Sequence, residues 1–266
     1  MADLPRISVI TPSFNSAATI ARTLDSVLDQ QYGNLDYLVV DGGSKDATVD
    51  ILRQYEPRGV KWTSEPDRGI ADAFSKGIAR ADGELIGIVN SDDAYESGCL
   101  NAMAQAHAER KAAGKPPAIL HGDMIWQDGD DARLLKPRQW GGRDGVGVSM
   151  YFNMPVNHPT CFVPAEVYAK VGTFDATFRI CMDLDFLLRA YRAGVAFEYV
   201  PRVISRFHVG GVSTQHTRAA LAETYRAQRH NGLTPLICGP AYLAKFAVNR
   251  LKAVTGLKLA PGRSRG

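Results

Sequence analysis

Long apolar runs are absent from this chain. No uninterrupted stretch reaches the ~20 residues that a membrane-spanning helix needs. Cysteine is scarce: Cys99, Cys161, Cys181 and Cys238 are the four present, scattered and without a C-x-x-C pair. That spacing argues against a zinc site and against a secreted disulfide framework. Charge of one sign is also lacking, since 31 Lys and Arg against 28 Asp and Glu leave a formal net charge of +3. This is too small to argue for nucleic acid as a partner. The start, Met1-Ala2-Asp3-Leu4-Pro5-Arg6, has no basic-then-apolar layout of a signal peptide, so a cytoplasmic location is the expectation. Internal repeats are missing too.

The composition itself is that of an ordinary globular protein, with 45% apolar and 22% charged residues in 266. That length fits one large α/β domain, or one domain with a short appendage. Arg6 to Pro12 reads as a buried strand stopped by proline. Ser16 is a candidate cap for a helix from about Ala17 to Gln30, with Ile20, Leu24, Val27 and Leu28 inward. Asp36 to Val40 is a second strand, followed by a Gly-Gly turn and a helix through Val49, Ile51 and Leu52. A short strand at Val60 to Trp62 precedes a charged turn and a helix over Ile70 to Ala81. Glu84 to Val89 is the next strand. Such alternation implies a mostly parallel central sheet flanked by helices on both faces, with ligands beyond the carboxyl ends of the strands. Further on, Ala118 to His121 and Met124 to Gln127 read as strands, with a hairpin turn at Asp128 to Asp131. Pro137 to Asn157 has the look of a long functional loop. A helix over Asp183 to Ala193 and strands at Phe197 to Val200 and Val203 to Phe207 follow.

Four segments carry chemistry. Asn90-Ser91-Asp92-Asp93 follows a strand end, where adjacent carboxylates repel unless a cation compensates them. Oxygen ligands of this kind suit Mg²⁺ or Mn²⁺, while the competing reading is a solvated turn that caps the next helix. Asp41-Gly42-Gly43-Ser44 places a carboxylate at a strand end with glycines that permit close backbone approach. Ser64 to Gly77 packs charges into a turn and helix. Within it, Asp67 is either a cap or a ligand contact, and Lys76 either a solvated lysine or a counter-charge for a diphosphate. Asp183 begins an apolar helical segment and is either an N-cap or a general base. Asp185 pairs in register with Arg189 at i+4. His158 and His208 are the histidines to watch, His208 as a candidate contact to metal or phosphate ahead of a Gly-rich stretch.

Taken in order, these segments resemble the family 2 inverting glycosyltransferases. The resemblance runs from Ile7 to Ser213 and rests on Ser8-Val9-Ile10-Thr11-Pro12-Ser13-Phe14-Asn15, Val40 to Asp46, Ser64 to Gly69, Asn90 to Asp93, Asn157-His158-Pro159 and Met182 to Phe186. It implies the GT-A fold, with a nucleotide-binding half at about 5–115 and an acceptor half at about 116–215. A basic helical extension would occupy 216–266. It implies that Thr11, Pro12 and Asp41 lie at the nucleoside, Asp41 facing the base, and that Asp67 and Lys76 lie near ribose or diphosphate. Asn90 to Asp93 stands for the family's "DXD" motif, with Asp93 the main metal ligand and Asp92 at ribose or metal. Asp183 matches the catalytic base. Met182 replaces the acidic residue that often precedes that base, and Asn90 replaces the first Asp of a strict D-x-D.

The implied reaction moves a sugar from a nucleotide-sugar, with UDP the expected carrier, to an acceptor hydroxyl with inversion. The acceptor would be a saccharide or lipid-linked saccharide of bacterial envelope synthesis. A sugar nucleotidyltransferase is the rival reading, but it wants a Gly-rich basic loop after the first strand, where Pro12-Ser13-Phe14-Asn15-Ser16 has neither. A catalytically silent carbohydrate-binding protein is the other, and the set Asp41, Asp92, Asp93 and Asp183 argues against it. The tail from Gly239 to Leu259 has helical spacing and carries Lys245, Arg250, Lys252 and Lys258. Tyr242, Leu243, Phe246 and Leu251 alternate with those charges, so this segment is a candidate for peripheral contact with an anionic membrane surface.

Overall fold

The computed structural model describes residues 4–137, 154, 156–210 and 217–247, apart from 237, 241 and 245. Four parallel strands form one half of a single sheet: β1 (Ile7–Ser13), β2 (Leu35–Asp41), β3 (Val60–Ser64) and β4 (Leu85–Ile88), in the order β3-β2-β1-β4. Every residue of β1 is buried, as expected of a central strand covered on both faces. Helices α1 (Ile20–Leu28), α2 (Thr48–Tyr55) and α3 (Ile70–Arg80) make the crossovers. Side chains alternate across the strands, so β1 feeds two cores. Ile7 and Val9 pack with Ile20 and Leu24 of α1 and Leu52 of α2. Ile10 packs on the other face with Phe74 of α3. Full burial of one such side chain stabilises by about 1.5–3 kcal/mol.

The second half is mixed. β5 (Ala94–Tyr95) and α4 (Cys99–Ala112) precede β6 (Ala118–Asp128), β7 (Asp131–Leu135) and β8 (Phe162–Pro164). Then come α5 (Ala165–Val171), α6 (Met182–Arg192), β9 (Ala196–His208) and α7 (Thr217–His230). The sheet continues β4-β8-β6-β9-β5, with β8 antiparallel to β4 and β6, and β6 parallel to β9.

Two expected pairs of strands are each one strand. The break read at Gly122-Asp123 is a register irregularity within β6. The break read at Pro201-Arg202 falls where the pairing jumps from Tyr199 to Val203, so the missing proline N–H forfeits no ladder bond. Gly122 has its own reason: a Cβ there would lie 2.6 Å from the Arg202 carbonyl oxygen of β9. The hairpin at Asp128 to Asp131 forms as read, with Asp128 paired to Asp131. Helix α4, not anticipated, buries Cys99, Leu100, Met103, Ala104 and His107, a face too small and too polar to stand out in the sequence.

Most of the loop from Pro137 to Asn157, the Gly211–Ser213 stretch, the boundary at 215 and the tail residues Lys245, Arg250, Leu251, Lys252 and Lys258 lie outside the described residues. No described helix is long and apolar enough to cross a membrane.

Candidate active site

A cavity of about 880 Å³ opens at the carboxyl ends of the parallel strands, where the two halves of the sheet meet. That volume suits a ligand of drug-like size or larger. One wall holds Pro12 to Ser16, Gly42, Asp67 and Asn90 to Asp92; the other holds Trp126, His158, Arg179 and Asp183.

The acidic loop follows β4 and is pinned from the polar side of α1. Arg22 donates to the Asp92 carbonyl at 2.6 Å, Thr23 to the Asp93 carbonyl at 2.6 Å, and Gln30 to the Glu96 carbonyl at 3.1 Å. Ser26 accepts the Tyr95 N–H at 3.1 Å. The short pairing of β5 with β9 then brings His208 to the loop. Asp93 is fully buried. Its two carboxylate oxygens accept the His208 N–H at 2.9 Å and the Asn90 side-chain amide at 3.1 Å. Burial, reinforced by the neighbouring Asp92 charge, pushes the Asp93 carboxyl up to about 7. Asp92 lines the cavity and Asp93 stands behind it. Burial also raises the Asp92 carboxyl, against the opposing charges of His208 and Arg22.

Burial raises both adjacent carboxylates, and Asn90 Oδ1 and His208 Nδ1 are buried without a hydrogen-bond partner among the described residues. No group of three or more His, Cys, Asp or Glu side chains is assembled to hold a metal among those residues. What these residues offer a hard cation is one cavity-facing carboxylate, Asp92, and Mg²⁺ is commonly held by one or two carboxylates together with a ligand's phosphates.

Asp41 closes its own turn. Its carboxylate accepts the N–H groups of Gly43 and Ser44 at 3.1 and 2.9 Å and the hydroxyls of Ser44 and Ser64. It is fully buried, and Gly42 forms the wall in its place. A Cβ on Gly42 would meet Asp67 Oδ2 at 2.6 Å and the Phe14 ring at 3.3 Å, so any larger residue shifts these two side chains. Asp67 does face the cavity, and its other oxygen accepts the Gly69 N–H at 2.8 Å. Gly69 caps α3 at φ 116°, a backbone shape that favours glycine. Lys76 lies behind the wall: it donates to the Pro66 carbonyl at 3.0 Å and pairs with Glu65 at 3.3 Å and Asp72 at 3.6 Å. Thr11 is buried against the Tyr37 hydroxyl at 3.1 Å, while Pro12 lines the cavity.

On the far wall Asp183 occupies the first turn of α6 and accepts the Leu184 N–H at 2.7 Å. Burial pushes its carboxyl up to about 7; nearby N–H groups oppose this, and the Glu223 charge adds to it. His158 sits between Phe74 and Phe174, ring centroids 5.7 and 5.6 Å away, and burial lowers it to about 4, so it is neutral near pH 7. Asp185 is buried and structural, held by Arg189 at 2.8 Å, His230 at 3.0 Å and Asn231 at 2.8 Å.

No local sequence signal marks Arg179, Trp126 or Phe14 as wall residues. Arg179 is the lone Lys or Arg on the cavity wall among the described residues. A single arginine in an irregular loop has no periodic signature. Asn15, at a positive φ of 49° that its short polar side chain tolerates, joins this loop to the next: its side-chain oxygen accepts the Lys45 N–H at 2.8 Å, and its own N–H donates to the Ser44 hydroxyl at 2.7 Å.

A parallel half-sheet with an acidic loop, facing a mixed half that supplies a carboxylate near neutrality, defines a transferase of the nucleotide-binding α/β class. The sequence profile of glycosyl transferase family 2 matches residues 8–168. An uncharacterised glycosyltransferase of Mycobacterium tuberculosis is 36% identical over 199 residues, covering 71% of this chain and 70% of that protein. The chain belongs to glycosyl transferase family 2 and is a glycosyltransferase. A "PGL/p-HBAD biosynthesis glycosyltransferase" of Mycobacterium bovis is 27% identical, covering 79% of each chain. Among solved structures, residues 1–349 of S. aureus TarS in complex with UDP-GlcNAc share the fold at a TM-score of 0.70 and 18% identity, over 93% of this chain and 73% of that one. This chain spans 44% of a longer TarS structure. The mannosyltransferase PcManGT from Pyrobaculum calidifontis, in complex with GDP-Man and Mn²⁺, gives a TM-score of 0.60 at 20% identity, over 96% of this chain and 77% of that one.

Proposed function

We propose that this glycosyltransferase moves a sugar from a UDP-linked donor to an acceptor hydroxyl in one inverting displacement. The observation that carries the reading is that Asp92, from the parallel half, and Asp183, from the mixed half, line one cavity. Their environments suit different tasks. Asp92 belongs to the under-compensated acidic loop and would hold Mn²⁺ or Mg²⁺ jointly with the donor diphosphate, whose developing charge such a cation neutralises. Asp183, with a carboxyl near 7, is matched to taking the acceptor proton as the new bond forms. Once ionised it accepts that proton, and the acceptor oxygen attacks the anomeric carbon from the face opposite the departing diphosphate. No covalent sugar–enzyme intermediate is required.

In this reading Pro12, Gly42 and Asp67 meet the nucleoside end of the donor. Thr11, Asp41 and Lys76 hold those contacts from one layer behind. Arg179 is the one Lys or Arg among the described cavity-lining residues, and Lys76 is engaged with Glu65 and Asp72. Asp93 braces the loop through His208 and Asn90. The names of relatives and fold neighbours, which include a glycolipid-pathway enzyme and UDP-GlcNAc and GDP-Man complexes, support a saccharide or lipid-linked acceptor in envelope synthesis. Peripheral contact with an anionic membrane fits the described part of the tail, where Leu243 and Phe246 are 65% and 37% exposed. Ending the chain after Gly239 should abolish sedimentation with phosphatidylglycerol vesicles, and unchanged sedimentation would discard that contact.

A thermal-shift screen of UDP-, GDP- and dTDP-sugars with and without Mn²⁺ tests the donor, because a ligand of the native state raises its melting temperature. Release of nucleoside diphosphate in the presence of acceptor is expected. Pyrophosphate formed from a nucleoside triphosphate would instead favour nucleotidyl transfer.

A further inference from the structure

Helix α7 lies along the segment that leads into Asp183. Its contact residues recur at helical spacing: Ala220, Glu223, Thr224, Ala227 and His230 share one face. At its C-terminal end His230 and the following Asn231 hold Asp185. One turn earlier Arg226 donates to the Thr177 carbonyl at 2.7 Å and covers the Phe178 ring at 4.0 Å. Nearly one turn before that, the Glu223 carboxylate accepts the backbone N–H groups of three consecutive residues: Arg179 at 3.0 and 3.1 Å, Ile180 at 2.8 Å and Cys181 at 3.0 Å.

Those three residues are the approach to α6, whose N-cap is Cys181. N–H groups at the start of a helix have no partner within it, and a carboxylate is favoured there by the same partial charge. Burial disfavours the Glu223 charge, but the N–H groups of Cys181, Arg179 and Ile180 outweigh it, and Arg226 adds to them, holding the carboxyl below its usual range. Glu223 itself is absent from the cavity wall, whereas Arg179, Ile180, Met182 and Asp183 form part of it.

We propose that Glu223 is a positioning residue for the transfer step: from the C-terminal helix it clamps the Arg179–Cys181 backbone and so fixes Arg179 and Asp183 on the cavity wall. This rests on the assignment of Asp183 as the base, and makes α7 a working part of the catalytic unit. The donor-side wall comes from β1, β2 and the acidic loop, so loss of the clamp acts on the acceptor side alone.

The test compares wild type with Glu223→Ala, Glu223→Gln and Asn231→Ala, the last loosening the α6–α7 contact away from residues 179–181. Amide hydrogen exchange is followed by mass spectrometry, and UDP binding with Mn²⁺ by calorimetry. In Glu223→Ala, exchange of residues 179–183 should rise about tenfold or more while the Pro12–Ser16 and Asn90–Asp93 segments stay unchanged. Its kcat should fall ~10–100-fold, the scale of a misplaced catalytic group, with UDP affinity within about twofold. Glu223→Gln, whose amide oxygen still accepts, should recover part of both, and Asn231→Ala should lower Tm with kcat retained. Unchanged exchange at 179–183, wild-type kcat in Glu223→Ala, or equal losses in Asn231→Ala would overturn the proposal. Should wild type release no nucleotide from any UDP-, GDP- or dTDP-sugar, the transferase reading fails on its own, and the exchange comparison still decides the clamp.

Discussion

Asp183→Asn should yield a protein that is more stable than wild type and almost without turnover. The amide keeps the volume of the carboxyl, and its oxygen can still accept the Leu184 N–H. What disappears is a carboxyl whose folded-state pKa is about 7, against an ordinary value of 3.8. A difference of roughly three units sets a ceiling of about 4 kcal/mol. Asp183 borders a water-filled cavity that screens part of this, so about 2 kcal/mol is the expected gain. For a chain of this size that is roughly 4–6 °C in Tm. The sign depends on pH. Between about pH 4 and 7 the folded wild type keeps the proton while the unfolded chain has lost it, so wild-type stability falls as pH rises through that window and levels off above it. The Tm advantage of the variant should therefore be near zero at pH 4 and complete by pH 8. Other raised carboxyls, Asp93 among them, are common to both proteins and cancel in the difference. Turnover should fall ~10²–10⁴-fold, as for loss of a general base, and wild-type kcat/KM should climb with pH up to about 7. Scanning calorimetry and nucleotide release across pH 4.5–8.5 give both curves. A Tm gain independent of pH, or turnover within about tenfold of wild type, would refute the assignment.

Two further outcomes follow from the donor side. Asp92→Asn should not lower Tm at neutral pH, since burial raises that carboxyl, but should weaken Mn²⁺-supported UDP binding about tenfold or more; EDTA should have the same effect on wild type and none on the variant. Equal UDP affinity in all four conditions would remove the metal from this loop. Gly42→Ala should raise the donor KM while costing less than about 1 kcal/mol of stability, since its Cβ would displace the movable side chains of Asp67 and Phe14 from the wall; an unchanged KM would show that these two side chains do not meet the donor.

The parallel half of the sheet was legible because each element has its own signal. β1 is an apolar run and α1 carries Ile20, Leu24 and Val27 on one face, so local periodicity is enough. Strand ends were legible for the same reason, which put Asp41 and the Asn90–Asp93 loop in the right region. The second half was harder. Gly122 and Pro201 look like breaks, yet each is absorbed where β6 and β9 change register, a feature of two strands together and of neither alone. Helix α4 hides because its buried face includes Ala104 and His107.

Sequence by itself determined the class of this protein: the order of strands and helices, the acidic loop after β4, and an Asp at the head of α6, all of which depend on chemistry within a few neighbouring residues. Tertiary structure decided which of the candidate groups meet the cavity. Asp41, Asp93 and Lys76 spend their hydrogen bonds and charge on protein partners behind the wall, while Asp67, Asp92, Asp183 and Arg179 line the cavity. Partners as distant in sequence as His208 for Asp93 and Glu223 for Arg179 make that choice. A side chain's role follows from which partner satisfies it, and those partners become neighbours only once the sheet has closed and α7 has packed on α6.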